Sequence, residues 1–390
     1  MKQIFSNRAM TFGPNIFNIL NEKKEELIKK GMKVTNLSVG TPDFAPSKAI
    51  MEAVSKASLN PDNYKYSLGD TKELTDAVIA WYKRRYNVEL KADEIMSVAG
   101  TQEGMAHIAL TFCNEGDVVL VPNPGYPIFE TGPYLNGAKV CYYDLLPENN
   151  YLIDFDSIDE KVARAAKLII VSYPLNPTCT CADKTFYMKL IEFAKKYDIL
   201  VINDNAYSEI IYDGRESFSF LELPGAKEIG LEFNSLSKTY NLTGIRISFL
   251  MGNEKYIEKF SQLRSQFDYG TSFLVQAAAI EALNGDQSEV AKNREEYQRR
   301  RDALCKVLLD NGFKLKPSEG TMFVWAKIPD MGLSSEEFCI RLLETTGIIC
   351  TPGSSFGSLG EGYVRFALVL PADELANLDF SGMGEMYGKL

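Results

Sequence analysis

The chain has 390 residues, 45% of them hydrophobic and 24% charged, and a formal net charge of -10. That length supports a substantial core and more than one domain, and an acidic balance with no basic tract argues against nucleic acid as a partner. Seven cysteines, an odd and scattered set at 113, 141, 179, 181, 305, 339 and 350, do not make a disulfide scaffold, and a single histidine, His107, excludes a histidine metal cluster or a Ser-His-Asp triad using another histidine.

The opening stretch MKQIFSNRAMTFGP lacks the apolar core of a signal peptide, and no later run reaches membrane-spanning length, so a cytoplasmic protein without a metal site is expected. The spacing predicts an amphipathic helix over 18–30, stopped by Gly31. A short apolar strand in KVTNLSVG then runs into Gly40, Pro42 and Pro46, which mark a fixed loop. Helices are predicted over 47–58 and 71–85, with a polar loop at 60–70 between them. Within 93–112 a strand breaks at Gly100 and a helix begins near Thr101, where free backbone N–H groups suit a phosphate as well as they suit an ordinary capped turn. His107, in the apolar run GMAHIALTF, reads as a packed helix residue.

Next come DVVLVPNPGYP, AKVCYYDL and KLIIVSYPLNPT as short apolar strands, a helix over 184–198, the buried strand ILVINDNAY, and strands at 228–235 and 249–252. Strands buried on both faces and alternating with helices imply an α/β fold with a mostly parallel sheet, whose ligands bind beyond the carboxyl ends of the strands. Long helices over 254–268 and 287–311 lead to the strand TMFVWAKIP, the helix SSEEFCIRLLETTG and the strand GYVRFALVL, an α+β layer. The expected organisation is an N-terminal segment, 1–45, packing with a small domain; a large domain, 46–285; and the small C-terminal domain, 286–390.

Asn176, Asp204 and Lys238 all fall at strand ends. A lysine amine there can form a Schiff base with an aldehyde cofactor. Pyridoxal phosphate in particular requires a lysine, an acid at its pyridine nitrogen and a phosphate cradle. Lys238, inside SLSKTYNLTGIRIS, supplies the amine and a proton shuttle, and Asp204 keeps the ring nitrogen protonated. Tyr207 and Asn176 can bond the ring oxygen, and Tyr126 can stack on the ring. Arg246, Ser235, Ser237 and the N–H groups near Thr101 and Gln102 can hold the phosphate, and Arg365 can take a substrate carboxylate in a bidentate pair. Each residue alone has a plainer reading: Asp204 as a helix cap, Tyr126 and Tyr207 as core or rim aromatics, Asn176 as a turn former, Arg246 as the partner of a surface acid. Arg365, on a largely apolar strand, calls for an acidic partner or a ligand.

Taken together, SLSKTYNLTGIR at 235–246, YPLNPT at 173–178, DNAYSE at 204–209 and NPGYP at 123–127 resemble the class I/II aminotransferases of the fold-type I pyridoxal-phosphate family, in particular the LL-diaminopimelate and aspartate aminotransferase branches. The resemblance runs from about residue 10 to 388. It implies a large domain with a seven-stranded sheet sandwiched by helices, plus a smaller α+β domain. Its implied site has Lys238, Asp204 and Tyr207 as catalytic residues. Thr101, Gln102, Tyr126, Asn176, Ser235, Ser237 and Arg246 hold the cofactor, and Arg365, Asn176 and the backbone of Gly40 hold the substrate carboxylate. Tyr64, five residues before Gly69, matches a tyrosine that reaches the phosphate in the neighbouring subunit, which implies a homodimer with shared sites.

The sequence departs from the family pattern in places. Cys179 and Ser248 stand where glycines are common, Gln102 where the diaminopimelate branch often has lysine, and Gln266 near the place of a partner-subunit arginine in aspartate enzymes. The expected activity is ping-pong transfer of an α-amino group between an L-amino acid and a 2-oxo acid, with LL-diaminopimelate or aspartate and 2-oxoglutarate as candidate pairs. The same site also suits a Cys-S-conjugate β-lyase or a broad alanine/aromatic aminotransferase.

Overall fold

Short runs rich in valine, isoleucine and leucine supply the central sheet, because such side chains pack well on a pleated surface covered on both faces. The computed structural model, which describes residues 4–13 and 16–386, places its strands at β1 (Ile95–Val98), β2 (Val118–Asn123), β3 (Lys139–Asp144), β4 (Ala166–Ser172), β5 (Leu200–Asp204), β6 (Gly230–Ser235) and β7 (Ser248–Gly252). Their order across the sheet is β1-β7-β6-β5-β4-β2-β3. Neighbours from β6 to β3 run parallel, and β7 runs antiparallel to both β6 and β1. The expected mostly parallel, seven-stranded α/β sheet is therefore present. β2, β6 and β7 are buried along their whole length, whereas the edge strand β3 exposes Lys139 and Asp144.

This topology decides where a site can form. The carboxyl ends of β4, β5 and β6 open on one side of the sheet. The reversed strand β7 enters from that same side, so the residues just before Ser248 join those that follow the other strands.

Helix positions follow the sequence closely, at Ile16–Lys29, Lys48–Ser58, Lys72–Tyr86, Thr101–Phe112, Lys184–Tyr197, Ser288–Asp310 and Ser335–Thr346. Three features differ from expectation. The strand in KVTNLSVG shrinks to Thr35–Asn36, which pairs in parallel only with Ile348–Ile349. The helix expected over 254–268 ends at Arg264, where Arg264 bonds the Asp268 carboxylate at 2.7 Å and turns the chain. A further helix, Phe273–Asn284, packs against Lys48–Ser58 and Lys72–Tyr86. Its run FLVQAAAIEALN is apolar nearly all round and carries no polar stripe to reveal it.

Two hydrophobic cores result. One surrounds the sheet and draws on residues from Ile50 to Leu283. The other joins Ile16, Leu20, Leu27 and Leu37 to residues from Tyr297 to Met386 around a three-stranded antiparallel sheet, β8 (Phe323–Lys327), β9 (Thr351–Pro352) and β10 (Tyr363–Ala367). The segment leading to Gly40 is anchored in the second core: the Leu37 N–H donates to Ile349 at 2.8 Å, and its carbonyl accepts from Ala367 at 2.7 Å.

Arg300, buried on helix Ser288–Asp310, fixes the loop that follows Gly40. Its guanidinium donates to both Asp43 oxygens, at 2.6 and 3.0 Å, and to the Leu368 carbonyl at 3.0 Å, and it lies 4.4 Å from the Phe44 ring centroid. Removing it strands a half-buried carboxylate and a buried carbonyl. Arg300→Ala is expected to lower the unfolding free energy by about 2–3 kcal/mol, read from urea denaturation; a loss below about 0.5 kcal/mol would mean that the Asp43 loop is held by other contacts.

Candidate active site

Beyond the carboxyl ends of β4, β5 and β6 lies a cavity of about 260 Å³. Every residue expected at the site lines it except Tyr64: Gly40, Thr101, Gln102, Tyr126, Asn176, Asp204, Tyr207, Ser235, Ser237, Lys238, Arg246 and Arg365. Tyr64 instead stands 68% exposed in the turn Pro61–Tyr64, its hydroxyl donating to the Ser58 carbonyl at 2.8 Å. The cavity also takes in Thr41, Ser172 and Phe323, which sequence reasoning missed. Ser172 had a usable signal as the last residue of a buried strand. Phe323 had none, since it belongs to the second core and reaches the site only through the tertiary fold.

Asp204 is the last residue of β5 and is buried. Burial pushes its carboxyl up to about 7, aided by the charge of Glu232 and opposed by the Ala206 N–H at 3.2 Å. Among the described residues it has no cationic side chain as an ion-pair partner. Lys238 sits in the short turn Leu236–Thr239, capped by Ser235, whose hydroxyl accepts from the Ser237 N–H at 3.1 Å. Its ammonium donates to the Gly40 carbonyl at 2.5 Å. Burial lowers it to about 8, and the nearby charges of Arg365 and Arg246 act in the same direction.

Arg365 reaches the cavity from β10. It donates to Asn176 Oδ1 at 2.8 Å and to the Ser38 carbonyl at 2.9 Å, and it lies 4.0 Å from the centroid of Phe323. No carboxylate pairs with it among the described residues, and its Nε is buried without a partner. Burial lowers its guanidinium to about 10, so it remains a cation at neutral pH. Tyr207 is buried against Phe323, with ring centroids 6.0 Å apart, and burial raises its hydroxyl.

A second cluster lies where β1 meets β7. Gly100, at φ +87, begins helix Thr101–Phe112 and offers the first helical amides no side-chain cap. A side chain at Gly100 would run into the Arg246 guanidinium. Arg246, itself at φ +60, donates to the carbonyls of Thr243 at 2.9 Å and Ala99 at 3.3 Å, and pairs with no acid among the described residues. Uncapped helical amides, two serine hydroxyls and a free guanidinium form a donor set that suits a phosphate. The Tyr126 hydroxyl donates to Gln102 Oε1 at 3.1 Å and closes the wall between the two clusters.

The two replaced glycines fit without opening the site. Cys179, at φ +63, is buried with Sγ 3.1 Å from the Pro177 carbonyl and 3.3 Å from that of Phe323. That left-handed φ explains why glycine suits the position, and burial pushes the thiol up to about 11, which leaves it unreactive. Ser248 is fully buried and accepts from the Thr101 hydroxyl at 3.1 Å.

The donor set therefore fits pyridoxal phosphate: a buried amine for its aldehyde, an acid without a cation for its ring nitrogen, and a donor cluster for its phosphate. Comparisons with known proteins agree. Residues 32–378 match the family described as aminotransferase class I and II. An LL-diaminopimelate aminotransferase of Aquifex aeolicus is 43% identical over 374 residues, 95% of this chain and 96% of that protein. Among solved structures, substrate-bound BacF of Bacillus subtilis superposes with a TM-score of 0.93 at 34% identity, covering 99% of this chain and 98% of the other. A probable N-succinyldiaminopimelate aminotransferase of Thermus thermophilus superposes with a TM-score of 0.89 at 30% identity, covering 96% and 100%.

The lowered ammonium of Lys238 has a consequence for stability. Its folded value of about 8 lies below the ordinary 10.5, so the folded chain carries an unfavourable charge at every pH below about 8, and the penalty disappears as pH rises to 10.5. Lys238→Met should therefore stabilise the cofactor-free protein at pH 7 by roughly 3 kcal/mol, with the two urea curves converging between pH 8 and 10.5. Equal stabilities at pH 7 would show that the amine is not desolvated.

Proposed function

The chain belongs to the class I and II aminotransferases, a fold-type I family dependent on pyridoxal phosphate, and we propose that it exchanges an α-amino group between LL-diaminopimelate and 2-oxoglutarate by a ping-pong sequence. The observation that carries the chemistry is the meeting of Lys238, Arg365 and Asp204, three desolvated charges without ion-pair partners, at the carboxyl end of one sheet. The donor is suggested by the relatives: proteins named LL-diaminopimelate aminotransferase match at 37–43% identity over at least 95% of this chain.

When bound, pyridoxal phosphate supplies an aldehyde that takes up an amine and a ring that withdraws electrons from the carbon attached to it. Lys238 would hold it, and the Lys238 amine would accept the proton leaving the substrate Cα. With its ammonium lowered to about 8, roughly a tenth of the free amine is unprotonated at pH 7. Asp204 pairs with the pyridine nitrogen and gains there the cation it otherwise lacks. Arg365 occupies Asn176 Oδ1, which leaves the Asn176 amide nitrogen, with the Tyr207 hydroxyl, free to donate to the cofactor's ring oxygen, which these two would hold. Thr101, Gln102, Ser235, Ser237 and Arg246 would hold the phosphate, and Tyr126 would stack on the ring. Arg365 takes the α-carboxylate near Gly40, fixing the substrate so that its Cα–H lies within reach of the Lys238 amine.

The same reading includes a homodimer. The turn bearing Tyr64 leads into the exposed Tyr66 and Leu68, and the Tyr66 ring lies 5.0 Å from that of Tyr269, itself exposed next to Phe267. An aromatic ridge of this kind suits burial against a second copy, with Tyr64 of each chain serving the phosphate of the other. A cytoplasmic location is part of this proposal; no helix among the described residues is long and apolar enough to cross a membrane.

A panel of amino donors with 2-oxoglutarate tests the substrate. LL-diaminopimelate is expected to exceed aspartate, alanine and phenylalanine by at least about tenfold in kcat/KM, or about 1.4 kcal/mol in transition-state binding; a broad or aromatic preference would reject the assignment. Arg365→Lys, which keeps the charge but loses the planar fork, should lower kcat/KM at least about thirtyfold while the visible band of the bound cofactor persists. An unchanged kcat/KM would remove Arg365 from the carboxylate site.

A further inference from the structure

Five carboxylates are buried among the described residues: Glu94, Asp204, Glu209, Glu232 and Glu319. Three have cations: Glu94 meets Lys227 at 2.9 Å, Glu209 meets Arg85 at 2.9 Å, and Glu319 meets Lys316 at 2.7 Å. Asp204 and Glu232 have none. A buried acid without a cation is costly to keep, and these two lie on adjacent strands. In the β5–β6 ladder Asn203 pairs with Glu232 and Asp204 with Phe233. Successive side chains alternate faces, so Glu232 and Asn203 share the face opposite the cavity and Asp204 points into it.

Glu232 is fully buried and held by four donors. Its Oε1 accepts from the hydroxyls of Tyr82 at 3.0 Å and Ser219 at 2.7 Å. Its Oε2 accepts from the Phe220 N–H at 2.7 Å and from Asn203 Nδ2 at 3.0 Å. Asn203 in turn accepts from the Tyr187 hydroxyl at 2.9 Å. Two N–H donors and two hydroxyls converging on two oxygens make a cradle for an ionised carboxylate. Tyr82 on Lys72–Tyr86 and Tyr187 on Lys184–Tyr197 face it from the packed helices, and both are raised by burial and therefore neutral at pH 7. Burial raises the Glu232 carboxyl and its four donors oppose that rise; held ionised by them, it has no cation to offset its charge among the described residues. On the cavity side the groups around Asp204 are Tyr126, Tyr207, Lys238, Arg246 and Arg365.

We propose that Glu232 is a positioning residue for the reaction: an anion fixed behind the sheet whose field, acting across one strand, favours a cation beside Asp204 at the pyridine nitrogen. This rests on the reading of Asp204 given above. Strands lie about 4.8 Å apart, and side chains on opposite faces add to that, so the two carboxylates stand about 10 Å apart; at an effective dielectric near 20 this coupling amounts to roughly one pH unit at Asp204. The protein around Glu232 is fixed before any ligand arrives, so the field costs no reorganisation when a cation forms at the ring.

Glu232→Gln tests this with little disturbance to packing. The amide oxygen keeps the Phe220 and Asn203 donors, and the amide nitrogen replaces Oε1, where both partners are hydroxyls that can turn to accept. In the cofactor-free full-length chain the Asp204 carboxyl band, isolated by infrared subtraction of Asp204→Asn, should titrate near 7. In Glu232→Gln its midpoint should fall by roughly half a unit to one unit. In the pyridoxal-phosphate-loaded protein the pH midpoint of the visible band should move in the same acidic direction, and kcat should fall about three- to tenfold with KM within about twofold. Should Glu232→Gln fail to fold, Glu232→Met combined with Tyr82→Phe removes the charge together with one of its donors and should give the same acidic shift at Asp204.

Midpoints unchanged within about 0.2 unit in both variants, with Asp204→Asn still shifting the visible midpoint by more than that, would overturn the role of Glu232 and leave that of Asp204 standing. A visible midpoint that Asp204→Asn does not move would overturn both, and the two failures are told apart by that variant alone.

Discussion

Desolvation without a counter-charge governs the site. Lys238, Arg365 and Asp204 have each been drawn out of water, and none has an ion-pair partner among the described residues. Several kcal/mol per ion is the usual cost of such burial, and elsewhere in this chain the cost is offset by pairing, as at Arg300 with Asp43 or Arg301 with Asp213. At the cavity the offset is partial and comes from neutral groups: a carbonyl for Lys238, an amide oxygen and a carbonyl for Arg365, one N–H for Asp204. A cofactor with an aldehyde, a basic ring nitrogen and a phosphate, together with a substrate carboxylate, would supply the missing partners one by one.

The sheet makes this arrangement possible because its backbone is satisfied by its own ladders and leaves side chains at strand ends to do other work. Asp204 ends β5, and Ser235 ends β6 and caps the turn that presents Lys238. The single reversed strand brings Arg246 to the uncapped amides at Thr101. Left-handed backbone at Gly100 and Arg246 is what lets these two segments approach so closely, since a Cβ at Gly100 would occupy the space of the guanidinium.

Sequence reading recovered the parts of this plan that are local. Strand ends, the break at Gly100 and the run SLSKTYNLTGIR are contiguous signals, and they located the sheet, its direction and much of the cavity lining. What escaped was set by contacts distant in the chain. Helix Phe273–Asn284 has no polar face because it is covered on several sides, so periodicity could not find it. Phe323 enters the cavity only because β8 lies beside β10, with Val324 facing Phe366 and Trp325 facing Arg365. KVTNLSVG kept only two strand residues because its hydrogen bonds go to Ile349 and Ala367, partners roughly three hundred residues away along the chain. The clustering of Lys238, Arg365 and Gly40, which come from three separated segments, is likewise a tertiary fact that single motifs could only suggest.

That three-segment origin joins substrate recognition to the packing of the two cores. Gly40 approaches Phe323 so closely that an added Cβ would contact its ring. The Gly40 carbonyl accepts from Lys238 on the large sheet, while Leu37, three residues earlier, is bonded into the second core. Arg365 likewise bridges, rooted in β10 yet bonded to Asn176 beyond β4. A carboxylate arriving at Arg365 would therefore touch a residue held by one core and bonded to the other, and any shift between the cores would move Gly40 and Arg365 together relative to Lys238. Binding energy spent at a carboxylate there would in this way be coupled to the placement of the Lys238 amine. The large sheet, with Asp204 on one face and Glu232 on the other, is the fixed frame against which that placement is made.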